Sequence, residues 1–125
     1  MSRVVHFEVA ADDVERATKF YGSVFGWQFQ KWDAGDYWLV NTGDSAQPGI
    51  NGGFLQRGGC EESKDLSVVN TIGVESIDDS IAKIQAAGGC ILRPKMPIPG
   101  VGYLAYFKDT EGNMFGIMQP DKNAA

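Results

Sequence analysis

The sequence predicts an α+β domain built from two consecutive βαβββ modules. Three observations point there. An alternating strand followed by a capped amphipathic segment opens the chain, the same order restarts after a polar connector, and the breaks between segments carry turn chemistry. A length of 125 residues suits one domain, with module one at about 1–58, a connector at 58–65 and module two at about 66–120.

In module one, Val4-Val5-His6-Phe7-Glu8-Val9 alternates, so Val5, Phe7 and Val9 share one face and Val4, His6 and Glu8 the other. Asp12-Asp13-Val14-Glu15 supplies an N-cap and a capping-box glutamate; Val14, Ala17, Tyr21, Val24 and Phe25 follow at helical spacing, up to Gly26. Strands are expected over Trp27 to Trp32, Tyr37 to Thr42 and roughly Ile50 to Arg57. Asp33-Ala34-Gly35-Asp36 and the stretch from Gly43 to Gly49 separate them, with glycine permitting positive φ and Asp and Ser side chains bonding the local backbone.

Module two repeats this order. Ser67 to Val74 reads as a strand, Ser76-Ile77-Asp78-Asp79 opens a helix carrying Ile77, Ile81 and Ile84, and Gly88-Gly89 ends it. Cys90 to Arg93, Tyr103 to Lys108 and Met114 to Gln119 complete the set. Superposing Val9 on Val74 pairs Phe7 with Ile72, Ala17 with Ala82 and His6 with Thr71; the apolar positions agree and the polar inner position does not. The second helix is expected to be about two residues shorter than the first, so that the glycines after each one match.

Composition narrows the function. With 43% apolar and 22% charged residues the chain is neither disordered nor membranous, and MSRVVHFEVA lacks the apolar run of a signal peptide, so a cytoplasmic protein is expected. A net charge of −5 without clustered Lys or Arg argues against a nucleic-acid partner and agrees with a soluble surface or a cationic ligand. Cys60 and Cys90 form no CxxC motif and read as two reduced thiols.

Val5-His6-Phe7-Glu8-Val9, then Phe20-Tyr21-Gly22-Ser23-Val24-Phe25-Gly26-Trp27, then Asp109-Thr110-Glu111-Gly112-Asn113, together resemble the vicinal oxygen chelate superfamily. That superfamily includes glyoxalase I, bleomycin-resistance proteins and extradiol dioxygenases, and the likeness covers nearly the whole chain. It implies a curved, mostly antiparallel sheet around a cleft, with helices outside. In catalytic members a divalent metal in the cleft is held by one side chain from the first and one from the last strand of each module, and acts as a Lewis acid or activates oxygen. A homodimer is expected, and since relatives pair modules within a chain or exchange them between chains, the sequence leaves open which of the two occurs.

Carried over position by position, the first-strand ligands match His6 and Thr71, the last-strand carboxylate of module two matches Gly116, and Asn51-Gly52-Gly53-Phe54 supplies no ligand in module one. One of the four positions keeps a metal-binding side chain. Glu8, two residues from His6 on the same face with its Cα roughly 6.5 Å away, is the only other metal candidate. Divalent transition-metal sites take at least three protein ligands, so no cofactor is expected, with a divalent metal as the alternative.

The expected function is therefore a glyoxalase/bleomycin-resistance-like protein that binds a small organic molecule in an apolar, aromatic cleft without the family's metal. Candidate ligand-binding residues are His6, Glu8, Trp27, Trp38, Thr71, Tyr103, Met114, Gly116 and Met118; Gly116 would leave space between two flexible methionines. Trp32 and Tyr37 belong to the same aromatic group as Trp27 and Trp38, half of which alternation assigns to the core. Arg93 to Gly102 is expected to be a proline-stiffened loop at the cleft rim, and Tyr103 and Tyr106 lie on opposite faces of the strand after it. No catalytic residue is assigned. Two alternatives stand beside this reading: a divalent-metal-dependent lyase, isomerase or dioxygenase using His6 and Glu8, and an interaction module with a vestigial cleft.

Overall fold

A computed structural model of the chain describes residues 2–32, 36–58 and 64–125. Strand β1 (Arg3–Ala11), helix α1 (Val14–Phe25) and strands β2 (Gln28–Trp32), β3 (Tyr37–Asn41) and β4 (Gly52–Gln56) form the first module. Strand β5 (Val68–Gly73), helix α2 (Ile77–Ala86) and strands β6 (Cys90–Ile98), β7 (Gly102–Lys108) and β8 (Met114–Pro120) form the second. The fold is α+β, two βαβββ modules in tandem, as the sequence predicts. It falls into two compact units: His6–Val69, and Met1–Val5 together with Asn70–Ala125.

In the first unit the strands run in the order β2-β3-β4-β1, with β1 parallel to β4 and the other neighbours antiparallel. The Asp13 side chain caps α1 by accepting from the Arg16 N–H, and Gly26 ends the helix at φ 73°, where a left-handed conformation favours glycine. Phe54 is fully buried among Ala11, Val14 and Val40, and Phe7, Val9, Tyr21, Trp27, Phe29 and Trp38 pack around them. Burying such a phenylalanine contributes about 1.5–3 kcal/mol. Val24 and Phe25, expected on the inner stripe of α1, are instead 55% and 60% exposed. At that end of the helix Tyr21 and Trp27 stack with ring centroids 5.1 Å apart, and this pair takes the covering role.

In the second unit the order is β5-β8-β7-β6, again with one parallel pair, β5 with β8. Ser76 caps α2 by accepting from the Asp79 N–H, and the Gln119 side chain accepts from the Ile77 N–H at 3.0 Å. Ile77, Val74, Ala105 and Ile117 form the core beneath it. Helix α2 has 10 residues against 12 in α1, the shortening that the repeat requires.

Two boundaries differ from expectation. Strand β4 begins at Gly52 because Asn51 and Ile50 turn to local partners: Thr42 donates its N–H to Asn51 Oδ1 and its hydroxyl to the Ile50 carbonyl. The expected rim loop after Arg93 is strand as far as Ile98, and only the turn at Pro99–Val101 breaks the chain. Pro94 and Pro97 fit there because β6 is an edge strand whose pairing to β7 shifts register between Ile91 and Arg93 and again between Arg93 and Met96. Cys60, most of the connector and the turn at 33–35 lie outside the described residues, and Cys90 is an exposed free thiol. No helix among the described residues is long and apolar enough to cross a membrane.

Candidate functional site

Alternation along the first unit's strands decides which side chains leave the core. Phe7, Val9, Phe29, Trp38, Val40 and Phe54 pack on the α1 side, so His6, Glu8, Gln28, Gln30, Trp32, Tyr37, Leu39, Asn41, Asn51 and Gly53 face the other way. Register arranges these in rows: Gln28 lies opposite Asn41, Gln30 opposite Leu39, Leu39 opposite Gly53, and Gly53 opposite Glu8. His6, Gln28, Gln30, Leu39, Asn41 and Asn51 line a concavity of about 500 Å³ on this face.

His6 is anchored from the side. Its Nε2 lies 2.8 Å from the Tyr37 hydroxyl, and the Tyr37 ring rests against Gly53, where a Cβ would overlap it. The glycine is therefore required for the tyrosine to reach the histidine. Burial holds the His6 pKa below its ordinary 6.5, with the neighbouring Glu8 charge opposing, so the imidazole is neutral at pH 7.

The two asparagines are oriented by backbone donors. The Gly43 N–H donates to Asn41 Oδ1 at 2.9 Å, and the Thr42 N–H donates to Asn51 Oδ1 at 3.0 Å. A backbone N–H can only donate, so it fixes the oxygen of each amide and leaves the NH₂ group as the outward end. The face thus presents amide donors, a neutral imidazole and an apolar floor at Leu39, which is 44% exposed.

In module two, Thr71 and Gly116 are direct neighbours on β5 and β8, on the face away from α2, together with Met114 and Met118. The space expected at Gly116 is taken. A Cβ there would stand 3.1 Å from Thr71 Oγ1 and 3.3 Å from Tyr106 Cε1, and Thr71 is 2% exposed. A tyrosine ring thus closes the position that the resemblance matches to a carboxylate.

Three expected ligand-binding aromatics stand elsewhere. Trp27 and Trp38 pack against the α1 core, and Tyr103 packs against the α2 core beneath Lys95, whose Nζ is 4.8 Å from the ring centroid. Strand alternation puts Trp32 and Tyr37 on the open face in their place, with Tyr106 on the corresponding side of β7. Gln28, Gln30, Asn41 and Asn51 were not singled out from the sequence. Counting alternation outward from Phe29 and Val40 finds the first three; Asn51 is hidden by its resemblance to an ordinary turn residue.

These donors do not fit a divalent metal. Among the described residues no three His, Cys, Asp or Glu side chains converge, and His6 Nε2 is hydrogen-bonded to the Tyr37 hydroxyl. Glu8 is the carboxylate whose charge acts on His6, while Thr71 and Gly116 offer a hydroxyl and a hydrogen.

Residues 3–43 match the family described as bleomycin resistance protein-like N-terminal. A glyoxylase-like domain-containing protein of Didymella fabae is 32% identical over 114 residues, 88% of either chain. A probable lactoylglutathione lyase of Vibrio parahaemolyticus is 28% identical over 130 residues, covering 98% of this chain and 94% of its own. Among solved structures, a methylmalonyl-CoA epimerase in complex with methylmalonyl-CoA and NH₄⁺ superposes with a TM-score of 0.71 at 17% identity, covering 100% of this chain and 99% of its own. A hypothetical protein from Bacillus halodurans does so at 0.71 and 12%, covering 99% and 98%. At such identities the structural likeness is one of fold. The Didymella relative carries the assignment: this chain belongs to the glyoxalase- and bleomycin-resistance-like branch of the vicinal oxygen chelate superfamily.

Proposed function

We propose that the protein binds a small organic molecule on the open face of module one, without a metal. The observation that supports this most is the row Gln28, Asn41, Asn51 and His6 around one concavity, with Leu39 as an apolar floor. Such a site recognises by hydrogen bonds and shape. It is more polar than the apolar, aromatic cleft expected from the sequence, because Trp27 and Trp38 pack on the core side and amide side chains line the concavity. The Thr71, Gly116, Met114 and Met118 face of module two is closed at Gly116 by Tyr106 and is assigned a supporting role.

A thermal-shift screen over a chemically diverse library, paired with metal analysis of protein purified without a metal-affinity column, tests the proposal. A ligand that binds the native state raises the melting temperature by mass action. The expected result is stabilisation by organic compounds in metal-free protein, lost in His6→Ala. Stoichiometric metal whose removal destabilises the fold would favour the lyase, isomerase or dioxygenase alternative with His6 and Glu8 as ligands. Absence of any stabilising compound would favour the interaction-module alternative. As in the family, a homodimer is proposed.

A further inference from the structure

The hydrogen bonds around Asn41 and Asn51 specify what kind of molecule the concavity takes, a step that rests on the small-molecule reading above. Val40–Gly52 is the last pair of the β3–β4 ladder, and Asn41 and Asn51, the residues just beyond it on the two chains, both line the concavity. Each carries its amide oxygen on a backbone N–H, Asn41 on that of Gly43 and Asn51 on that of Thr42. Asn51 Oδ1 also lies 3.3 Å from the Thr42 hydroxyl. The two NH₂ groups therefore project as a pre-oriented pair of donors, held by the turn that joins β3 to β4.

Charge limits the acceptor. Among the described residues no Lys or Arg side chain lines the concavity. Carboxylates and phosphates are commonly recognised by paired cationic donors, above all by Arg, and here they would meet uncharged amides in a protein of net charge −5. Leu39, opposite Gln30 and Gly53, provides apolar contact between the polar rows.

We infer that Asn41 and Asn51 determine specificity, and that the ligand is an uncharged molecule bearing carbonyl-type acceptor oxygens on an apolar body: an amide, ester, lactone or ketone in preference to a carboxylate or phosphate ester.

Benzamide, methyl benzoate and sodium benzoate test this, because they share the apolar body and differ in the charge on the acceptor. Each is titrated into ¹⁵N-labelled protein while the side-chain NH₂ signals of Asn41 and Asn51 are followed. The neutral probes are expected to move both signals at concentrations about tenfold lower than benzoate, the worth of one good hydrogen bond. Asn41→Asp and Asn51→Asp keep the oxygen that the backbone needs and replace the donor with an anion, so each should fold normally and lose the benzamide response. Gln30→Lys, at an exposed position, should instead give benzoate the advantage. Benzoate binding as well as benzamide to the unsubstituted protein would overturn the inference and leave the pocket standing. Silence of both signals towards all three probes would overturn the pocket reading and the inference with it.

Discussion

Substituting Gly116 isolates what the second module has done with its matched ligand position. The glycine is buried, and its φ is not in the left-handed region, so backbone strain plays no part and only space and charge are at stake. A Cβ would meet Thr71 Oγ1 at 3.1 Å and Tyr106 Cε1 at 3.3 Å, contacts that relax if the neighbours give by a few tenths of an ångström. Gly116→Ala should therefore cost about 1 kcal/mol, the low end for overpacking. Gly116→Glu adds a carboxylate with no cationic partner at a buried site, worth about 3 kcal/mol more, and should lower the melting temperature by about 10 °C relative to Gly116→Ala.

The carboxyl introduced by Gly116→Glu should have a raised pKa in the fold. The native state then binds more protons than the unfolded one between the ordinary and the raised pKa, so stability of the variant falls as pH rises through that window and the penalty is full only above it. Thr71→His, directly opposite on β5, supplies a partner, and the double variant should be more stable at pH 7 than the sum of the single effects. Urea unfolding of the unsubstituted protein, the three single variants and the double variant at pH 5 and pH 8 reads both effects. If Gly116→Glu costs no more than Gly116→Ala at pH 8, or the double variant shows no coupling, then Gly116 does not sit in a closed site beside Thr71.

Other outcomes follow from the same geometry. His6 is the chain's one histidine and its pKa is lowered by burial, so the stability it contributes is present above pH 6.5 and is lost as pH falls through 6.5 towards the lower folded value; urea midpoints from pH 7.5 to 5 should decline, and His6→Gln should flatten the decline. Gly53→Ala would drive its Cβ into the Tyr37 ring and should cost about 2 kcal/mol, much of it recovered when Tyr37→Ala is added, as a double-mutant cycle would measure. A direct assay with the hemithioacetal of methylglyoxal and glutathione should show no enzymatic turnover, because no carboxylate stands at Gly116, and a chelator should leave the melting temperature unchanged; turnover abolished by His6→Ala, or a large chelator effect, would contradict this.

The module order was legible because it rests on short-range rules: Asp13 and Ser76 as caps, Gly26 as a stop, and period-two runs such as Val5, Phe7 and Val9. Facing residues were harder to read. Trp27, Trp38 and Tyr103 are apolar enough for a core and polar enough for a site, and only packing against Phe54 or Ala105 assigns them to the core. The prolines of β6 read as loop because proline is excluded from central strands, and nothing local in Arg93 to Pro97 reveals that this strand is an edge. Asn41 and Asn51 were obscured for a related reason. The backbone bonds that make asparagine a turn former are the same bonds that fix its amide oxygen, so a structural signal hides the donors that the proposed binding reading uses.

The two modules have therefore kept one backbone plan and diverged on its open face. At His6 the sheet keeps a side chain able to hydrogen-bond, and a tyrosine from β3 reaches across a glycine to hold it. At the superposed position, Thr71, the hydroxyl is buried, and a tyrosine from β7 lies over the glycine beside it. In both cases a missing Cβ admits an aromatic ring, yet the results are opposite: in the first module the ring holds a polar group beside a concavity, and in the second it closes the space beside Thr71. Neither ring disturbs a core, because Gly53 and Gly116 face away from α1 and α2 respectively. On the proposed metal-free reading, recognition comes from the sheet face itself, and module one is where that face carries polar side chains.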